Sequence, residues 1–164
     1  MTRTCPLSSL IASTSFQGMR VCLRFSKYKI QDMILDTKLF DELSAQAKAN
    51  PRLRQMFDLR NSPEDSNQRF LNALEPGTVL PVHRHPYCNS IIIVLRGAVR
   101  HYEYDDEGNV TQQVDARPTD GVQPLTQIEK NKWHNLECLE SGTVIFVFKD
   151  AKYNPETDTE VFTK

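Results

Sequence analysis

The chain has 164 residues, 39% hydrophobic and 25% charged, and its 20 Lys and Arg against 21 Asp and Glu give a net charge of −1. That size suits one domain and that composition suits a globular protein, which excludes a disordered chain and offers no general field for nucleic acid. No apolar run approaches the ~18–20 residues of a membrane-spanning helix, so no membrane partner is expected either.

The charge is uneven. Residues 1–32 carry Arg3, Arg20, Arg24, Lys27 and Lys29 against Asp32 alone, so the remainder is acidic. The stretch Cys5 to Phe16 is rich in Ser and Thr and too weakly apolar for the core of a signal peptide. Val21, Leu23 and Phe25 alternate with Arg20, Cys22 and Arg24, the pattern of a short edge strand. Residues 1–32 therefore read as an extension outside the core, with the functional chain starting near Met33. The four cysteines, at 5, 22, 88 and 138, form no C-x-x-C pair and no dense framework. Reduced thiols in a cytoplasmic protein are expected.

Asp36 and Thr37 are good N-caps, Leu39, Phe40, Leu43 and Ala47 recur at helical spacing, and Asn50-Pro51 is a stop. These features predict a helix over 37–49, and with the turn-rich segment 61–67 they make residues 33–68 a helix-and-loop unit. From residue 69 to the end, short apolar runs alternate with turn formers. Ile91 to Leu95 is β-branched and short, which predicts a buried strand ending at Gly97. Ala98 to Tyr104 is its partner, followed by a hairpin-type turn at 105–109, and Thr143 to Phe148 is another buried strand. The pattern predicts an all-β barrel or sandwich over 69–164.

Four histidines occur, at 83, 85, 101 and 134. His83 and His85 are two apart in an extended segment, so they share a face and Arg84 points the other way. A third imidazole from another strand would complete a site for Zn, Fe, Mn or Ni with open positions. His134 is the better candidate, because Trp133-His134-Asn135 opens an extended run after a charged turn. His101 faces inward or outward according to register. An isolated H-x-H pair is equally an ordinary surface feature. Cys88 would share a face with Ser90, and Asn89 would not.

The spacing Gly77, His83, His85, Ser90, Gly97 follows the first motif of the cupins, and the segment ending in His134 loosely follows the second. The chain further resembles the WbuC family of cupin-fold metalloproteins. The stretches that carry this are Asp41 to Ser44, Pro51 to Arg54, Gln68 to Thr78, His83 to His85, Val94 to Gly97, Trp133-His134 and Leu139 to Val144. The resemblance runs from about Asp36 to Asp150. It implies a small jelly-roll-like barrel (the cupin double-stranded β-helix) with an N-terminal helix. It also implies a divalent metal held by His83, His85 and His134, a homodimer, and a setting in bacterial surface-polysaccharide (O-antigen-type) biosynthesis.

One departure stands out. Most cupins place a glutamate ligand where this chain has Ser90, and a neutral hydroxyl is a much weaker ligand. Either three histidines and water hold the metal, or the metal has been lost. Arg69, Asn72, Arg84, Tyr87, Ser90, Tyr102 and Trp133 are the expected neighbours of a small polar or sugar-like molecule, since arginine forks to carboxylate or phosphate. Three classes of function follow: a metal-dependent isomerase, hydrolase or dioxygenase; a non-catalytic binding cupin; and a structural subunit that uses the barrel only to pair.

Overall fold

The computed structural model describes residues 35–118 and 125–163. The edge strand expected at Val21–Phe25, the start expected near Met33, Cys5 and Cys22 all lie outside them.

Helix α1 (Thr37–Ala49) forms where its spacing predicts. The Asp36 carboxylate accepts the Leu39 amide proton at 2.9 Å, and Asn50 leaves the helix in an extended conformation. Its Leu39, Leu43 and Ala47 make one buried stripe. No described helix is long and apolar enough to cross a membrane.

Ten strands follow: β1 (Arg54–Asp58), β2 (Gln68–Leu74), β3 (His83–Arg84), β4 (Ser90–Arg96), β5 (Val99–Tyr104), β6 (Val110–Ala116), β7 (Leu125–Ile128), β8 (Trp133–Cys138), β9 (Thr143–Lys149) and β10 (Glu160–Val161). They build two five-stranded antiparallel sheets, ordered β1-β2-β9-β4-β7 and β10-β3-β8-β5-β6. The strands expected at 91–95, 98–104 and 143–148 are β4, β5 and β9, and the turn at 105–109 closes the β5–β6 hairpin. Strand β6 gave no sequence signal because all its residues but Ala116 are exposed, so no period-2 alternation marks it.

The centre of the first sheet is covered on both faces. Leu74, Ile92, Val94, Ile145 and Val147 point between the sheets, against Val99, Ala116 and Cys138 of the second. Leu71, Ala73 and Val144 point outward, under Leu39, Leu43 and Ala47 of α1. This double burial is why Thr143 to Phe148 reads as an unbroken apolar run rather than an alternating one. Leu43, fully enclosed, contributes ~1.5–3 kcal/mol by burial alone.

Arg96 fastens the helix to this sheet. Its guanidinium donates to the Asp41 carboxylate at 2.5 Å, the Ser44 hydroxyl at 2.6 Å, and the carbonyls of Phe40 and Gly142, both at 2.9 Å. The Glu75 carboxylate accepts from Ser141 Oγ at 2.6 Å and the Gly142 amide at 2.9 Å, fixing the turn before β9. Gly97 sits against that turn with φ +76°, and a Cβ there would fall 2.3 Å from Thr143 Oγ1 and 2.8 Å from its Cα.

Gly97→Ala therefore meets both a left-handed backbone and a steric clash. It is expected to cost about 2 kcal/mol or more in urea unfolding. Gly108→Ala, at φ +83° in the β5–β6 hairpin, meets the left-handed backbone without the Thr143 clash and should cost about 1 kcal/mol. Equal losses would show that Thr143 does not set the requirement at 97.

Candidate metal centre

Strand β3 is only two residues long, and its register places His83 opposite His134 at the start of β8. His85 follows one residue beyond the strand, on the same face as His83. The ring centroids lie 4.4 Å apart for His83 and His134, 5.0 Å for His83 and His85, and 5.5 Å for His85 and His134. One ligand atom from each lies within 4.8 Å of the other two.

Their hydrogen bonds decide which nitrogen is available. His83 Nδ1 lies 2.9 Å from the Pro81 carbonyl, His134 Nδ1 2.8 Å from the Lys132 carbonyl, and His85 Nδ1 2.6 Å from the Asp158 carbonyl. A carbonyl can only accept, so each Nδ1 carries the proton and donates it, and each Nε2 keeps its lone pair. Backbone partners that fix tautomer and ring orientation are the usual second layer of a histidine metal site. Burial also disfavours the charged form of all three rings. Desolvation, then the nearby Lys149 ammonium, lowers the pKa of His85 to about 4, and desolvation, then His83, lowers that of His134 to about 3. His83 is lowered mainly by burial. Three neutral imidazoles with free Nε2 atoms are a donor set that fits a divalent ion of the zinc or iron type.

The histidines line a cavity of about 390 Å³ between the sheets. Its apolar wall includes Phe70, Ile92, Leu136, Ile145 and Val147, and Arg52 and Arg54 also line it. The sequence reading missed its most unusual member, Lys149, the last residue of β9. The Lys149 ammonium donates to Asp158 Oδ2 at 2.9 Å, and the same carboxylate accepts from Gln68 Nε2 at 2.6 Å. Burial opposes ionisation of Asp158, but Lys149 and these hydrogen bonds outweigh it and hold the carboxyl below its usual range. The Asp158 backbone carbonyl is the acceptor for His85, so one residue near the C-terminus fixes both a histidine and a lysine. Period-2 alternation from Ile145 and Val147 predicts that Lys149 faces the cavity; the expected strand stopped one residue short of it.

Among the other expected site residues, Asn72 and Ser90 line the cavity. Both hold a buried oxygen with no hydrogen-bond partner, Asn72 Oδ1 and Ser90 Oγ. Ser90 pairs in register with Lys149. Five lie elsewhere. Arg69 is tied to Asp65 at 2.6 Å and to Asn67. Arg84, on the outer face, pairs with Glu160 at 2.7 Å and stacks on Trp133 at 4.4 Å. Trp133 meets Phe162 edge-on and donates to Asp106 at 3.0 Å. Tyr87 is 71% exposed, and Tyr102 donates to Glu137 at 2.9 Å. His101 points inward, 6.1 Å from His134, with its Nε2 buried and unpartnered. Cys88 and Cys138 are buried free thiols, and Cys88 falls within reach of His85 and Asp158.

The depressed histidine pKa values set a pH window. An unfolded histidine titrates near ~6.5, whereas His85 and His134 stay neutral down to about 4 and about 3. The unfolded chain thus takes up protons first as pH falls. This stabilisation is complete above pH ~6.5 and is lost toward pH 4, at up to about 1.4 kcal/mol per pH unit for each histidine. Denaturant unfolding of chelator-treated protein should show this slope, and His134→Gln should make it shallower; identical slopes would refute the assignment.

The fold has counterparts among solved structures. Oxalate decarboxylase OxdC of Bacillus subtilis matches with a TM-score of 0.53 and 18% identity over 66% of this chain and 28% of that one. The capsular polysaccharide assembling protein CapF of Staphylococcus aureus matches with a TM-score of 0.56 and 18% identity over 70% of this chain and 33% of that one. KdgF of Halomonas sp. matches with a TM-score of 0.50 and 12% identity over 65% of this chain and 86% of that one. The match thus spans a third or less of the first two proteins. All three are cupin-fold proteins, and the present barrel with its N-terminal helix is a cupin barrel. No curated protein matches the sequence. A family model does match, over residues 35–116, half of the chain, and the protein belongs to the family described as Domain of unknown function (DUF6016).

Proposed function

We propose that the chain is a metal-binding cupin of the WbuC type, in which His83, His85 and His134 hold a divalent ion and the cavity above them takes a small polar or sugar-like molecule. The observation that carries this reading is the shared tautomer: three clustered imidazoles, His85 and His134 buried and His83 half-buried, each give Nδ1–H to a backbone carbonyl, which leaves Nε2 free, and one ligand atom of each lies within 4.8 Å of the other two. Surface histidines have no need of three such partners. When bound, the ion would supply Lewis-acid polarisation of a ligand oxygen or, if it is iron, redox chemistry. The protein's own residues do the rest. The carbonyls of Pro81, Lys132 and Asp158 keep the rings aimed, the apolar wall excludes water, and Ser90 and Asn72 offer polar contacts that orient the molecule. A role in bacterial surface-polysaccharide biosynthesis, as a homodimer, is the setting we favour. The description of CapF as a capsular polysaccharide assembling protein points the same way.

A second reading is a binding cupin without metal. Its support is the pairing of Ser90 with Lys149, which puts a cation beside the position where most cupins hold a carboxylate ligand.

Elemental analysis of protein purified without a histidine tag separates the two. We expect close to one zinc, iron, manganese or nickel per chain, and a loss of affinity of about tenfold or more in His83→Ala and in His134→Ala. Circular dichroism should show both variants folded. A wild-type content far below one, unchanged in both variants, would leave the metal-free reading.

A further inference from the structure

The cavity has a sign. Arg52, Arg54 and Lys149 line it, and no aspartate or glutamate does. The Asp158 carboxylate answers Lys149 but is itself held by Gln68 and by the lysine. Arg54 donates one guanidinium proton to the Val79 carbonyl at 2.9 Å, and among the described residues neither Arg52 nor Arg54 pairs with a carboxylate. A divalent ion held by His83, His85 and His134 would add further positive charge, and of the three cationic side chains only Lys149 has a carboxylate partner, Asp158. Guanidinium groups without a carboxylate partner at the edge of such a cavity favour an anionic ligand.

Two orphan atoms refine the ligand. Ser90, 3% exposed, aims an unpartnered hydroxyl into the cavity, and Asn72 Oδ1 is buried there without a donor. A hydroxyl proton on the ligand would satisfy the Asn72 oxygen, and an anionic oxygen would accept from Ser90.

We propose that the ligand of this cavity is a small organic anion bearing a hydroxyl group, its carboxylate or phosphate supplied to the site where the glutamate of other cupins is missing, and that Arg52, Arg54 and Lys149 select it. The proposal rests on the metal-binding reading for the part in which the anion reaches the ion; the cationic lining is independent of it. A cavity of about 390 Å³ suits a molecule of a few to a dozen or so heavy atoms.

The test uses the full chain loaded with Co²⁺, with malate, glycerol 3-phosphate and neutral glycerol as probes. At least one anion should raise the thermal midpoint and shift the visible cobalt bands, while glycerol does neither. Which anion acts separates carboxylate from phosphate. Arg52→Gln with Arg54→Gln should weaken that binding by about tenfold or more while leaving cobalt bound. These two residues are rim positions, so the double variant remains informative if Lys149→Met, which strands Asp158, fails to fold. Anion binding unchanged by the double variant, or glycerol acting as well as the anions, would overturn the proposal, as would silence from both anions. If cobalt itself does not bind, the metal reading fails separately. The same anions on metal-free protein then decide: a thermal shift sensitive to Arg52 and Arg54 upholds the cationic selection, and its absence sinks it.

Discussion

Strand β9 is buried on both faces, and most of the molecule is arranged by that constraint. Val144 faces the helix while Ile145 and Val147 face the second sheet, so the strand must be covered twice. The helix supplies one cover, the second sheet the other. Because β9 lies between β2 and β4, its period-2 alternation also sets which residues of its neighbours look inward. Asn72 on β2, Ser90 on β4 and Lys149 on β9 reach the cavity through this one register. A slip of one residue would exchange the cavity face for the helix face along all three strands.

The two ends of β9 serve different purposes. At its start, Thr143 packs against Gly97, Glu75 holds the preceding turn, and Arg96 ties that turn to the helix. Asp41, Ser44, Glu75, Arg96, Gly97, Ser141, Gly142 and Thr143 meet here. Their role in this structure is to lock the helix onto the sheet. At its end, Lys149 sits beside the histidines. The motif residues thus fall in two places, a docking node of charged and small residues and the cluster of His83, His85 and His134.

The buried pair of Lys149 and Asp158 shows how the site is held together. A buried ion pair rarely adds much net stability, because desolvation consumes most of its attraction, whereas removing one partner is costly. Here the pair has a geometric use. Asp158 anchors the C-terminal segment, whose strand β10 pairs with β3 so that Val161 lies opposite His83. Its backbone carbonyl orients His85 and its carboxylate steadies Lys149. The short β3 is therefore fixed from both sides, by β8 and β10, and the histidines gain their orientation from the backbone rather than from acidic side chains.

Much of this was legible in the sequence. The helix over 37–49, the strands at 91–95, 98–104 and 143–148, and the same-face pairing of His83 and His85 follow from local periodicity and capping, which nearest neighbours in the chain dictate. The resemblance of the motifs anticipated the cupin barrel. The cavity's polar lining was legible only in part. Asn72 and Ser90 lie in it, whereas Arg84, Tyr87, Tyr102 and Trp133 look outward and Arg69 is bound to its own loop, because strand parity and ion-pair partners, not residue type, decide which way a side chain points. Lys149, Asp158 and the two rim arginines come from segments far apart in sequence. Their meeting depends on long-range register and on a C-terminal strand of two residues, which carries no periodicity of its own. Local physics determined the elements; only the pairing of those elements decided the charge and contents of the site.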